Sequence, residues 1–249
     1  AAQCPHGGAG ACGGGGVKHL RDLARAAFVD PVPRNHEQTS AAVRRRRVVV
    51  VVTLAVGAVL LGWSLTIRPG DPLFYLTTVA VAATWLAGSL LSGPLHLGRI
   101  LYRDRLRRPI LTPIATGLLV GGVFVLGALV VQHIPPLRAY AGEVLDHARY
   151  GAIVPITATT LLNGLAEEVF FRGALFAAIG RTHPVLISTI VYALATVATA
   201  NPMLVFAAAV LGAVLGLQRR ASGGILAPIL THVTWSTVML FALPPLLGS

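Results

Sequence analysis

The sequence is short of charge: only 12% of its 249 residues are Asp, Glu, Lys or Arg, about half the roughly 25% of an ordinary soluble domain. It is almost without lysine, Lys18 being the only one, so arginine carries nearly all of the formal net charge of +11. It has two cysteines, Cys4 and Cys12, with His6 and His19 nearby, and their spacing fits neither a disulfide framework nor a zinc pattern. The scarcity of charge argues against a soluble fold, and the cysteine spacing against a stapled one. The arginines stand in short clusters between apolar runs instead of forming one basic face with interleaved aromatics, so nucleic acid is not an expected partner. The opening residues also lack the basic-then-apolar pattern of a cleaved secretory signal, and the first membrane span is expected to act as the insertion signal.

What the chain has in abundance is apolar sequence, 55% of all residues, with a mean hydropathy of +0.73. Runs of about 18 or more apolar residues mark membrane helices, because in lipid only a closed helix satisfies its own backbone polar groups. The expected fold is all-α, a polytopic transmembrane helix bundle of about seven spans, at 48–67, 73–91, 110–131, 153–179, 185–200, 203–217 and 225–240. Asn201-Pro202 and Ser222-Gly223-Gly224 supply turns between the last of them. Gly117 with Gly121, and Gly212 with Gly216, form small-xxx-small pairs that let a neighbouring helix approach closely.

The organisation falls into three parts. Residues 1–43 read as a flexible cytoplasmic tail, glycine-rich to Gly16 and then a short interfacial helix with Val17, Leu20, Leu23, Ala24 and Ala27 set against Lys18, Arg21 and Arg25. Residues 44–150 hold three amino-terminal transmembrane helices with their loops, and 151–245 form a core domain. The basic segments Arg44 to Arg47, Arg99 to Arg108 and Arg219-Arg220 fall on one side of such a bundle, with Arg181, whereas the other side holds only Arg68, Arg138 and Arg149. Positive loops stay inside, so the expected location is the inner or cytoplasmic cell membrane, multi-pass, with a cytoplasmic amino terminus. Arginine in place of lysine, with the Ala, Gly and Val bias, points to a GC-rich bacterial genome.

Glu167 and Glu168 are acids in the body of the fourth span. Each costs roughly 2.5 to 3.5 kcal/mol there, and such residues face the bundle interior for a functional reason. Adjacent residues point about 100° apart on a helix, so the two carboxylates have different tasks. Glu168 stands four residues before Arg172, the favoured order for an ion pair, which leaves Glu167 freer for chemistry. Counted at about 1.5 Å per residue from the presumed cytoplasmic span ends, Glu167, Thr196 and His232 lie roughly 20, 18 and 15 Å deep, a common height. Asn163 sits one turn before Glu167, and Ser236 one turn after His232. A carboxylate and an imidazole in a dry cavity can hold and activate water for hydrolysis.

The run Glu167-Glu168-Val169-Phe170-Phe171-Arg172 resembles the E-E-x-x-x-R motif of the CAAX-protease and bacteriocin-processing (CPBP) family of intramembrane proteases, and Leu226 to His232 is similar to that family's final His motif. The resemblance covers about 153–240. It implies that Glu167 is the general base, Glu168 the partner of Arg172, and His232 a water or oxyanion ligand, with a membrane-associated peptide or protein as substrate and the lipid bilayer around it. Two positions depart from the family pattern. The middle motif F-x-x-x-H aligns with Tyr192-Ala193-Leu194-Ala195-Thr196, so Thr196 stands where a histidine is expected, and Ser236 replaces the usual Asn or Asp. His183 lies about three turns from Thr196, too far to substitute. A tetrahedral zinc normally has three protein ligands, whereas Glu167, Glu168 and His232 are the most the sequence offers; no cofactor is implied with certainty, and a divalent metal would be under-liganded.

The leading expectation is an intramembrane endopeptidase with a glutamate-activated water. The alternative is a catalytically inactive relative acting as a membrane-protein regulator, scaffold or bacteriocin-immunity protein, which the absence of the middle histidine favours. A small proton-coupled transporter, with the buried acids as relay, is a third reading.

Overall fold

The computed structural model describes residues 14–33, 36–102 and 105–247; Cys4, His6 and Cys12 lie outside them. The elements in chain order are α1 (Gly14–Phe28), α2 (Ser40–Ser64), α3 (Pro72–Ser92), β1 (Ile100–Tyr102), β2 (Arg105–Arg107), α4 (Leu111–Val131), α5 (Pro135–Tyr150), α6 (Ile153–Glu168), a π-helical stretch (Val169–Leu175), α7 (Phe176–Ile179), α8 (Pro184–Val197), α9 (Pro202–Ser222) and α10 (Leu226–Leu247). Among the described residues, α2, α3, α4, α9 and α10 are each long and apolar enough to cross a membrane, and α8 is a shorter apolar helix. The segment expected as one span at 153–179 is helical throughout but widens at the π stretch immediately after Glu168. The chain is thus a helical membrane bundle, and among the described residues the small β1–β2 hairpin is the one β element.

Local chemistry sets the helix ends. Asp71 caps α3 by accepting from the Leu73 amide at 2.8 Å, with Pro72 in the first turn. Asn201 caps α9 through the amides of Met203 and Leu204, and Gly223, at φ 69°, closes the same helix in the left-handed region that favours glycine. At the start of α2 the expected arginine run is part of the helix itself. Arg46 is fully buried there, donating to Gln38 Oε1, Ser92 Oγ and the Pro94 carbonyl. It thereby ties the linker before α2 to the far end of α3.

Packing follows the small residues. Gly117 and Gly121 on α4 face Thr234 and Val238 of α10, and Gly212 and Gly216 on α9 face Thr189 and Val185 of α8. Both small-residue pairs read from the sequence therefore sit at helix crossings. At the centre, Trp85 of α3 is fully buried, its ring centroid 4.6 Å from that of Phe170 and 5.2 Å from that of Phe171. One apolar cluster runs from Val50 on α2 through Trp85 and the phenylalanines to Tyr192 on α8, so the amino-terminal helices are packed directly on the helix that carries the Glu pair.

The structure adds elements where the sequence reading had loops. Residues 135–150 form the helix α5, whose buried His147 bonds the Ile67 carbonyl at 3.0 Å. The basic loop folds into the β1–β2 hairpin, and Tyr102 there bonds His19 of α1 at 2.9 Å. Helix α1 starts at Gly14 and docks its carboxyl half, where Ala26 and Ala27 are buried, while Leu20 remains exposed. The Val32 amide continues this docking by donating to the Ala221 carbonyl at the end of α9.

The close approach at Gly57 is testable, because a methyl group added there runs into the buried Trp85 indole. Gly57→Ala is expected to destabilise the fold by about 1 to 3 kcal/mol through overpacking. Gly122→Ala, on an exposed site with nothing nearby, gains up to about 1 kcal/mol of helix propensity. Thermal unfolding in detergent checks both, and equal melting temperatures for the two variants would count against this packing.

Candidate active site around Glu168 and His232

Four helical elements bring polar groups together inside the bundle: α6 carries Glu167 and Glu168, the π stretch Arg172, α8 Tyr192 and Thr196, and α10 His232 and Ser236. Glu168 and Arg172 are both fully buried. Glu168 Oε1 accepts from Arg172 Nη1 at 3.2 Å and lies 2.9 Å from His232 Nδ1. An ionised carboxylate only accepts, so Nδ1 is the donor and the neutral ring keeps its lone pair on Nε2. That edge of the ring faces Gly164: a Cβ placed on Gly164 would lie 3.6 Å from Nε2 and 3.5 Å from Ser236 Oγ. Gly164 is one turn before Glu167 on α6, so the Nε2 edge and Glu167 share a helix face.

The Arg172 guanidinium also rests 4.7 Å above the Tyr192 ring. Glu168 Oε2 and Arg172 Nε and Nη2 are buried and make no hydrogen bond within the protein. The Arg172 carbonyl accepts from Arg219 Nε at 2.6 Å, which anchors the π stretch to α9.

Glu167 is only partly buried, and its Oε2 accepts a 2.5 Å hydrogen bond from the Tyr192 hydroxyl. The sequence reading left Glu167 freer than Glu168 and paired it with His232 by depth; the structure instead places His232 on Glu168 and Tyr192 on Glu167. Tyr192 is the functional candidate that the sequence reading passed over. It occupies the aromatic position of the F-x-x-x-H motif, and the extra hydroxyl on that aromatic ring was the available signal.

The remaining candidates divide. Ser236 is buried beside His232, facing Gly164. The Thr196 hydroxyl donates to the Tyr192 carbonyl of its own helix at 2.9 Å, and Asn163 Nδ2 donates to the carbonyls of Thr78 and Thr159 at 3.1 and 2.9 Å, away from the acids. Among the described residues no three His, Cys, Asp or Glu side chains converge to hold a metal ion. With His232 Nδ1 and Glu168 Oε1 bonded to each other, His232 Nε2 and Glu167 are the ligand-type donors left, fewer than the three protein ligands of a tetrahedral zinc site.

Residues 149–238 match the family model of Rce1-like type II CAAX prenyl endopeptidases. No curated protein and no solved structure matches the chain.

The two acids are expected to differ in what their loss does to the fold. Glu168→Ala strands a fully buried guanidinium and should cost about 3 to 5 kcal/mol. Glu167→Ala releases only the Tyr192 hydroxyl and should cost about 1 to 3 kcal/mol. Chemical unfolding in detergent measures both; the reverse order would show that Glu168 is not the buried anchor.

Proposed function

Because residues 149–238 match the Rce1-like type II CAAX prenyl endopeptidases, which supports CPBP-family membership, we propose that this chain hydrolyses a peptide bond of a membrane-associated peptide or protein. Glu167 takes a proton from water as the water oxygen attacks the scissile carbonyl carbon. His232, through its Nε2 lone pair, accepts a hydrogen bond from that water and holds it for attack, and collapse of the tetrahedral intermediate breaks the C–N bond as Glu167 returns the proton to the leaving amine. The observation that carries this reading is the fixed imidazole. Glu168, neutralised by Arg172, holds Nδ1 at 2.9 Å and so turns Nε2 toward the face of α6 that bears Glu167. In this scheme Glu168 and Arg172 are positioning residues, and Tyr192 orients the base through its hydroxyl. Ser236 stands beside the imidazole as a second polar group.

A second reading has its own observation. Thr196 spends its hydroxyl on the backbone in place of the family's middle histidine, and Tyr192 occupies Glu167. Both features suit a non-catalytic relative that binds other membrane proteins as a regulator, scaffold or immunity factor.

Purified protein in proteoliposomes, offered a membrane-peptide library that includes a prenylated CAAX peptide, separates the two readings. Cleavage is expected from the wild type, and Glu167→Gln should lower it by about 10²- to 10⁴-fold, the usual worth of a general base. Thr196→His should raise it by restoring the missing imidazole. Equal cleavage by the wild type and Glu167→Gln removes Glu167 from the chemistry. Absence of cleavage by all variants, Thr196→His included, selects the non-catalytic relative.

A further inference from the structure

At the arginine-rich end of the bundle lie two neighbouring cavities, each of about 470 Å3. One opens between the start of α2, the loop after α3 and α7, and carries Arg47, Arg181 and, from α9, Arg219 on its walls. The other lies at the base of the β1–β2 hairpin and carries Arg99 and Arg108. His36 and His96 belong to both linings, their rings stacked 3.7 Å apart and 8° from parallel. Among the described residues the two linings set one carboxylate, Glu37, against these arginines. His96 is held below the ordinary imidazole range, first by burial and then by the positive charge of Arg219 and Arg46. The same end is apolar as well as cationic: Leu97 is about half exposed, and Leu101 and Leu106, paired directly across the hairpin, are 51% and 48% exposed.

We propose that this trough binds the phosphate of an anionic phospholipid, with the acyl chains lying along the exposed leucines. Its place decides for a lipid over a soluble anion. Two helices long enough to cross a membrane end at these walls, α2 with Val43 and Arg47 and α9 with Arg219 and Ser222, which puts the trough at headgroup height, where basic pockets between membrane helices take anionic headgroups. A free anion would use the arginines and leave Leu97, Leu101 and Leu106 bare; a phospholipid occupies both. The assignment goes beyond peptide hydrolysis and does not depend on it.

The test uses the full chain in detergent, with phosphatidylglycerol or phosphatidylcholine added and retention read by native mass spectrometry. Preferential retention of phosphatidylglycerol is expected. Arg108→Gln and Arg181→Gln should each weaken it about fivefold, the worth of one arginine near an anionic headgroup. Arg68→Gln, an exposed arginine outside the trough, should leave retention unchanged. Arg108 and Arg181 are exposed, so lipid-free melting temperatures equal to that of the wild type confirm that these variants fold. Equal retention of the two lipids, or undiminished binding by the double variant, overturns the proposal. Displacement by inorganic phosphate alone reassigns the site to a free anion. Displacement by a peptide with a free carboxyl terminus, but not by its amide, reassigns it to a peptide; either outcome also overturns the lipid assignment.

Discussion

A carboxylate sealed inside a membrane bundle must be matched by a cation and by donors, or its desolvation cost unfolds the site. Glu168 meets that requirement with Arg172 one turn ahead and His232 from α10, all through Oε1. Because the acid lies on α6, the cation on the π stretch and the imidazole on α10, one oxygen atom fixes the relative placement of three segments. The imidazole gains a defined tautomer from the same contact, since the side that faces Glu168 must carry the proton. What is structurally a charge-burial problem thus becomes a way of orienting Nε2. The remaining Glu168 oxygen and two guanidinium nitrogens stay without hydrogen bonds in the protein, so the network is tight on one edge and unsatisfied on the other.

That network needs helices at close range, and the packing supplies them. Small residues on α4 and α9 let α10 and α8 come near, while Gly164 leaves room on α6 for the His232 ring and Ser236. On the opposite side of the acids, Trp85 packs against Phe170 and Phe171. The rigid indole lies against the π stretch, so the amino-terminal helices hold the wall on which Arg172 stands. A side chain at Gly57 would push that indole, and through it the phenylalanines beside Arg172.

Much of this was legible in the sequence and some of it was not, for physical reasons. Hydropathy marks the membrane helices because the length of an apolar run answers directly to bilayer thickness. The Glu168–Arg172 pair is local, four residues apart, and spacing alone suffices to read it. The partner of His232 is a contact between α6 and α10, and depth counting places both acids within its reach without choosing between them. The choice falls to the roughly 100° offset of neighbouring side chains, which requires knowing which face of α6 meets α10. The Tyr192 hydroxyl is visible in the sequence, but its crossing to Glu167 depends on how α8 meets α6. The π stretch is invisible to periodicity, since one widened turn shifts the pattern by a single residue inside a segment that is apolar and buried throughout. Helix α5 was masked by its mixed charges, and the hairpin by the arginines that dominate its strands.

The charged groups in the interior and at the basic end are not separate systems. Arg219 donates to the Arg172 carbonyl at 2.6 Å, lies over the Phe176 ring at 5.1 Å, and lines the cationic cavity at the end of α9. Arg172 in turn holds Glu168, and Glu168 holds His232. A chain of direct contacts therefore runs from Arg219, at the basic end, to the imidazole. Its weakest link is the π stretch, where the helical ladder is widened and the backbone relies on an outside donor. Whatever occupies the cavity meets the same guanidinium that braces that backbone, so Arg219, an arginine of the basic end, also bears on the segment carrying Arg172.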